Sequence, residues 1–268
     1  MCTVTRPNLL ADCQLSVVRP RKIGTNHPLK WMVVDIIITQ KENKMTEKQA
    51  KKIPEITTPL RNSIIKMPSS IRKASGIVIY GKRIKSIVYS LDVSLLANTD
   101  ADAILCVYPF TPNTQILNAV SLVAKAPILV GVGGGLTQGD RSARLATHAE
   151  ENNATAIVLN GPVTVKTTKM VRDYVDIPVI YTVIDKTRDL QPYIDAGINI
   201  FNVSGGKDTV ELVKWVRAQY PDFPIIASGG KTDASIEATI DAGANAITYT
   251  AYGMMENYFH KKMETYRH

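Results

Sequence analysis

From residue 84 onward, short β-branched runs alternate with stretches whose apolar residues recur at helical spacing, the pattern of βα units wound around a parallel sheet. Eight such runs, over 86–90, 103–108, 128–132, 156–159, 179–183, 200–204, 225–228 and 246–250, predict eight strands. Several are apolar on consecutive positions, as Val179-Ile180 and Ile225-Ile226 are, which is expected of strands covered on one face by helices and on the other by a packed interior. Eight parallel strands suffice for closure, so the expected fold is a (β/α)₈ TIM barrel over residues 76–268. The stretch 76–90 also reads as a hairpin turning at Gly81-Lys82 and closing the bottom of the barrel.

The strands are entered in two alternating ways, an internal repeat that supports this reading. The third, fifth and seventh follow Ala126-Pro127, Ile177-Pro178 and Phe223-Pro224; the second, fourth, sixth and eighth follow Asp102-Ala103, Thr155-Ala156, Gly197-Ile198-Asn199 and Gly243-Ala244-Asn245. Glycine or asparagine suits the left-handed residue ending a helix, and proline fixes φ where a strand begins without losing a ladder donor. The implied unit is βαβα, four times over. Thr111-Pro112 predicts a helix start, and 94–98 is too short for a full helix after the first strand.

The formal charge of +8 is unevenly spread, with 14 Lys and Arg against 5 Asp and Glu in residues 1–75 and 18 against 19 in the remainder. A basic barrel face is thereby not supported, and the N-terminal part lacks the interleaved aromatics or amphipathic period of a nucleic-acid or membrane binder. No nucleic-acid or membrane partner is expected; a homo-oligomer is left open. Residues 45–75, polar and basic with Pro54, Pro59 and Pro68, read as an arm that packs on the barrel or lies free. Residues 1–44 have two readings. Lys41-Glu42-Asn43-Lys44-Met45 can be encoded by a purine-rich ribosome-binding sequence two codons ahead of a start at Met45, leaving the extension untranslated; otherwise it is a disordered basic tail. Cys2, Cys13 and Cys106 lack metal spacing, and with no secretory signal a reducing cytoplasm is expected.

In such a barrel the strand C-termini and following loops carry function, often with a phosphate on the seventh and eighth loops. Those ends present Asp92, Tyr108, the run Gly133-Gly134-Gly135, Asn160, Thr182, Asp185, Asn202, Ser204-Gly205-Gly206-Lys207, Ser228-Gly229-Gly230-Lys231 and Thr250 with Tyr252-Gly253. Ser228, Gly229 and Gly230 precede a helix over 233–242, so their amides are candidates to cradle a phosphate, with Ser204, Gly205, Gly206, Thr250 and Gly253 completing the cup; turn glycines alone would look the same. Asp92 and Asp185 follow opposite strands, where two carboxylates can divide acid and base work, or can simply cap the chain that follows. Asn160 is a candidate to orient a substrate carbonyl or hydroxyl, or a buried amide satisfying backbone. None of His27, His148, His260 or His268 falls at a strand end, so no metal is expected; no strand carries a Schiff-base lysine, and Cys106 reads as core.

At these residues the chain resembles the ribulose-phosphate-binding, aldolase-type barrels, closest in pattern to the cyclase subunit of imidazole glycerol phosphate synthase. Leu91-Asp92-Val93, Thr182-Val183-Ile184-Asp185, Gly133-Gly134-Gly135, Asn160 and the IIASGG of 225–230 carry the likeness across most of 84–253. The resemblance implies catalytic roles for Asp92 and Asp185 and a phosphorylated substrate. The chain departs from it at Ser94-Leu95-Leu96, where the family has a glycine-containing phosphate loop, and at Tyr252, so the histidine-pathway substrate is not carried over. It is also similar to bacterial barrels described only as hydrolases. The expectation is an isomerase, epimerase, lyase or cyclase acting beside a carbonyl on a small phosphorylated metabolite, needing no cofactor. The alternatives are an FMN-binding oxidoreductase, for which IIASGG would hold the flavin phosphate, and a catalytically silent barrel that binds a phosphometabolite.

Overall fold

A computed structural model describes residues 54–58, 64–108, 110–251 and 254–267. The extension before residue 45, Tyr252 and Gly253 lie outside the described residues. A compact unit runs from Glu55 to His268.

Among the described residues a 3-10 helix over Ser69–Lys73 is followed by a hairpin of β1 (Ile77–Ile79) and β2 (Lys82–Ile84). Its two turn residues, Tyr80 and Gly81, both have positive φ, 48° and 78°, the geometry that matches the twist of a tight antiparallel pair. Then come β3 (Ser86–Tyr89), α1 (Val93–Ala97), β4 (Ala103–Cys106), α2 (Thr114–Val123), β5 (Ile128–Gly133), α3 (Asp140–Glu151), β6 (Ala156–Leu159) and α4 (Val165–Tyr174). They are followed by β7 (Val179–Val183), α5 (Gln191–Asp195), β8 (Ile200–Val203), α6 (Thr209–Gln219), β9 (Ile225–Ser228), α7 (Asp233–Asp241), β10 (Ala246–Thr250) and α8 (Met254–Arg267). Strands β3 to β10 pair in parallel in chain order, and β10 pairs β3 to close the barrel. The eight barrel strands are those the periodicity predicts, with ends moved by at most two residues. One start differs: the cap of α2 is Asn113 and not Thr111, because Asn113 accepts from Gln115 N while the Tyr108 hydroxyl accepts from Asn113 N.

Period-two alternation divides the interior into layers. Ile87, Leu105, Leu129, Val158, Ile180, Ile200 and Ile226 fill the barrel, and Ile79 and Ile84 of the hairpin plug it from below. Outward-facing Val88, Ile104, Val130, Ile157, Tyr181, Phe201 and Ile247 meet the helices. Ile65, Met67 and Ile71 join that outer core, so the segment before the hairpin is packed: Met67 N donates to Asp100 Oδ1 at 2.7 Å, and Ser70 Oγ donates to Asp233 Oδ1 at 2.6 Å.

The alternating strand entrances have a physical basis. In three of the four βαβα units, the polar residue entering the even strand accepts from the first amide of the odd strand before it. Asp102 Oδ2 accepts from Ser86 N (3.0 Å), Asn199 Oδ1 from Val179 N (2.9 Å) and Asn245 Oδ1 from Ile225 N (2.9 Å). Thr155, in the second unit, makes only the backbone bond among the described residues, its amide donating to Ile128 O. An arginine from the preceding helix braces the last two units: Arg172 donates to Ile177 O, and Arg217 to Phe223 O, Gly243 O and Asn245 Oδ1. A Cβ on Gly197 or Gly243 would come within 2.7 Å and 3.0 Å of those arginine stems, which is why glycine stands at both helix ends besides their positive φ.

Candidate active site

The C-terminal mouth of the barrel holds a cavity of about 230 Å³. Its wall is divided by strand. Leu105, Val107 and Val158, with Tyr89 beside them, give the β3 to β6 side a mainly apolar arc, and Asn160, Thr182, Asn202, Ser204, Ser228, Thr248 and Thr250 of the β6 to β10 side give it a polar one. Every polar member is uncharged. Thr182, Asn202 and Thr248 are buried, at 8%, 8% and 5% exposure, and form the deep part of that arc. Asn202 Nδ2 donates to Thr182 Oγ1 at 3.3 Å, and Ser228 Oγ donates to Ser204 Oγ at 3.2 Å, both long bonds. Thr248 Oγ1 is buried without a partner among the described residues.

On the β4 and β5 side this cavity adjoins a second, of about 160 Å³, that shares Val107 and Asn160 with it. The two meet where β5 carries no side chains, since its inward positions above Leu129 are Gly131 and Gly133. The glycine run has a local reason. Gly133 and Gly134 have φ of 128° and 113°, and a Cβ on Gly134 would lie 2.6 Å from Asn160 O. The turn therefore closes directly over the Asn160 backbone, which donates from its amide to Gly133 O and presents Asn160, half-buried, to both cavities.

Asp92 and Asp185 are not brought together over the cavity, and neither lines it. Asp92 is exposed and caps α1, its Oδ1 accepting from Ser94 Oγ, Ser94 N and Leu95 N. Asp185 is exposed on the loop after β7, its Oδ1 accepting from the hydroxyl and amide of Thr187. The Ser94 and Thr187 hydroxyls, helped by those amides, hold both carboxyls below the usual carboxylate range. Both are therefore ionised at neutral pH, and each keeps Oδ2 unspent among the described residues. Asp185 lines a separate outer hollow of about 320 Å³ with Lys186, Gly205, Asp208 and Glu211.

The proposed phosphate rim is partly spent on the protein itself. Gly229 N donates to Thr248 O and Gly205 N to Thr209 Oγ1, while no partner is found for the amides of Gly230 and Lys231 among the described residues. Gly229 is held by packing, because a Cβ there would meet Ile247 Cγ2 at 2.4 Å; Gly230 is held by φ of 77° and the nearby Ser235 hydroxyl. Gly206 is exposed with φ of 61°, Thr250 is exposed on the cavity edge, and Gly253 lies outside the described residues. Cys106 is buried, and burial pushes its thiol up to about 11. Thr248 was not singled out by sequence reasoning; the alternation Ala246, Thr248, Thr250 along β10 is the signal that marks it as inward and polar. Among the described residues no group of three or more His, Cys, Asp or Glu side chains could hold a metal ion, and no helix is long and apolar enough to cross a membrane.

No protein-family model matches the chain, and no curated protein matches it in sequence. Solved structures do resemble it in fold. A phosphonopyruvate hydrolase in complex with oxalate and Mg²⁺ is 14% identical, with a TM-score of 0.53 over 70% of this chain and 83% of that one. A phosphoenolpyruvate phosphomutase from Streptomyces platensis subsp. rosaceus is 14% identical, with a TM-score of 0.51 over 74% and 84%. A mandelate oxidase variant with a monooxide FMN adduct is 20% identical, with a TM-score of 0.52 over 68% and 69%. These likenesses establish the barrel fold.

Proposed function

We propose that this barrel is an enzyme that binds a small phosphorylated metabolite at its mouth and moves a proton next to a carbonyl, as an isomerase, epimerase, lyase or cyclase does. The observation that carries the reading is the polar arc from β6 to β10 around a cavity of about 230 Å³ at the catalytic end of the fold. A phosphate would lie over the adjoining rims of β8, β9 and β10. The Gly230 and Lys231 amides at the start of α7, the hydroxyls of Ser204, Ser228 and Thr250, and Lys207 and Lys231 supply hydrogen-bond donors there. Asn160 would orient the carbonyl. Asp92 and Asp185, which lie outside the cavity wall, would have to turn an unspent oxygen over the mouth to reach the substrate, and because both are held in the charged form each would then enter as a base. The mutase and hydrolase neighbours, whose names refer to phosphonates and phosphoenolpyruvate, lend this substrate class support by analogy of fold. The substrate of the imidazole glycerol phosphate cyclase is not part of the proposal.

The mandelate oxidase neighbour with its FMN adduct favours a second reading, a flavin oxidoreductase. The same glycine rim could take the flavin phosphate, but a reduced flavin ring carries negative charge and no cationic side chain lines the mouth cavity. The fit is therefore partial, and the reading stays second. A thermal-shift screen against phosphosugars, flavins and nucleotides tests both, since a ligand that binds only the folded state raises apparent stability. Stabilisation by phosphosugars and a colourless preparation is the expected result; a yellow protein stabilised by FMN alone would reverse the order. Binding that survives loss of both aspartates, with no turnover in the parent, would indicate a silent sensor.

A further inference from the structure

Apart from what holds the phosphate, the deep half of the mouth cavity has a chemistry of its own. Thr182, Asn202 and Thr248 stand on neighbouring or near-neighbouring strands and are all more than nine-tenths buried. Their mutual bonding is sparse. The Thr182 hydroxyl accepts one long bond from Asn202 Nδ2, which among the described residues leaves its own proton and the Asn202 Oδ1 lone pairs unspent. The Thr248 hydroxyl has no partner among the described residues.

A buried hydroxyl without a partner destabilises a fold relative to a methyl of the same shape, and such losses concentrate where a ligand restores the bond. Valine would occupy the Thr248 position on a strand equally well. The layer beneath is closed by Ile180, Ile200 and Ile226, so a group reaching this depth leaves bulk water. An ionised group there would lose hydration and meet no opposite charge, since no Lys, Arg or His lines the cavity. A hydroxyl or hydroxyketone fits the unspent groups, because it accepts from Thr182 and Thr248 and donates to Asn202. A carboxylate only accepts.

We infer that Thr182, Asn202 and Thr248 form a subsite for the neutral, hydroxyl-bearing end of the ligand, and that the site rejects compounds with a carboxylate at that end. The assignment rests on the proposed phosphate reading for the ligand's other end. It also separates this chain from its hydrolase neighbour, whose complex holds the dicarboxylate oxalate.

The test uses the full chain and its Thr248→Val variant, with dihydroxyacetone phosphate, 2-phosphoglycolate and xylitol as probes, read by calorimetry and by thermal unfolding. The parent is expected to bind dihydroxyacetone phosphate at least about tenfold more tightly than 2-phosphoglycolate, the same phosphate carried on a carboxylate. Thr248→Val is expected to melt at or above the parent temperature when empty, and to bind dihydroxyacetone phosphate about tenfold more weakly. Equal or tighter binding of 2-phosphoglycolate overturns the subsite and leaves the phosphate reading standing. Xylitol binding as tightly as the phosphorylated ketone, with the loss in Thr248→Val retained, overturns the phosphate reading and leaves the subsite. Unchanged affinity in a folded Thr248→Val, or no binding of any probe, overturns the subsite.

Discussion

Asn245 gives the sharpest test of how the repeat is held together. Its Oδ1 accepts from Ile225 N and from Arg217 Nη2, both at 2.9 Å, and its Nδ2 donates to Ser75 Oγ at 2.9 Å. Replacing Asn245 by Ala removes all three. Ile225 is fully buried, so its amide, the first of β9, loses its acceptor where water cannot substitute, at a cost of roughly 1–3 kcal/mol. Arg217 keeps four backbone carbonyls, of Gly243, Tyr220, Pro221 and Phe223, so its loss is small. The bond to Ser75 is exposed and adds a few tenths, for a total of about 2 kcal/mol. Asn199, the equivalent residue two strands earlier, is exposed and its side chain bonds only Val179 N among the described residues, so Asn199→Ala should cost about 1 kcal/mol. Urea unfolding measures both, and the midpoints should fall in that order with the slope unchanged. Parental midpoints for Asn245→Ala, or a larger loss in Asn199→Ala, would refute the claim that these side chains clamp the strand starts.

Other expectations bear on the site and on pH. Asp92→Asn keeps an N-cap and removes the charge, so if Asp92 is a base, turnover of the substrate found by screening should fall at least about 100-fold while stability changes by less than about 0.5 kcal/mol; Asp92→Ala should also lose about 1 kcal/mol of cap. Parallel measurements on Asp185→Asn assign its role, and unchanged turnover in either Asn variant removes that residue from the mechanism. Gly230→Ala should destabilise by about 2 kcal/mol through positive φ and the Ser235 hydroxyl in the α7 capping box, and should weaken phosphate binding, measured calorimetrically on the folded fraction; undiminished phosphate affinity would leave it a turn residue. Asp102 is pushed up by burial but pulled further down by the Ser86 and Lys85 amides and Arg72, a net lowering from 3.8. Its contribution is then full above 3.8 and lost as pH falls through the lower folded value, so the stability gap between parent and Asp102→Asn should close in acid, as urea midpoints across pH will show.

Strand number, order and closure were legible because burial on both faces forces runs such as Val179-Ile180 and Ile225-Ile226, and because proline and asparagine mark the entrances by backbone demands that are local. The packing of Ile65, Met67 and Ile71 was not, since three apolar residues scattered among basic ones carry no period; their burial follows from long-range contacts such as Met67 to Asp100, 33 residues away. The start of α2 was misplaced for a related reason. Thr111-Pro112 is a sound local cap, but the Tyr108 hydroxyl takes the Asn113 amide and the cap moves by two residues.

The candidate site divides the same way. An aspartate after a strand reads identically whether its carboxylate faces a substrate or the amides and hydroxyls that follow it, and in Asp92 and Asp185 the latter bonds are what the chain makes. A motif of charged residues therefore marks the C-terminal rim of the barrel without fixing which way a side chain is spent. The neutral residues carry more information once period two is applied across strands. Thr182, Asn202 and Thr248 occupy inward positions in β7, β8 and β10 where Ile180, Ile200 and Ala246 lie one step below, so the sequence changes from apolar to polar at one height in three strands. A single threonine in a strand means little. The same change of polarity at one level of a closed barrel marks the floor of a cavity, and the lack of charge at that level restricts what can rest on it.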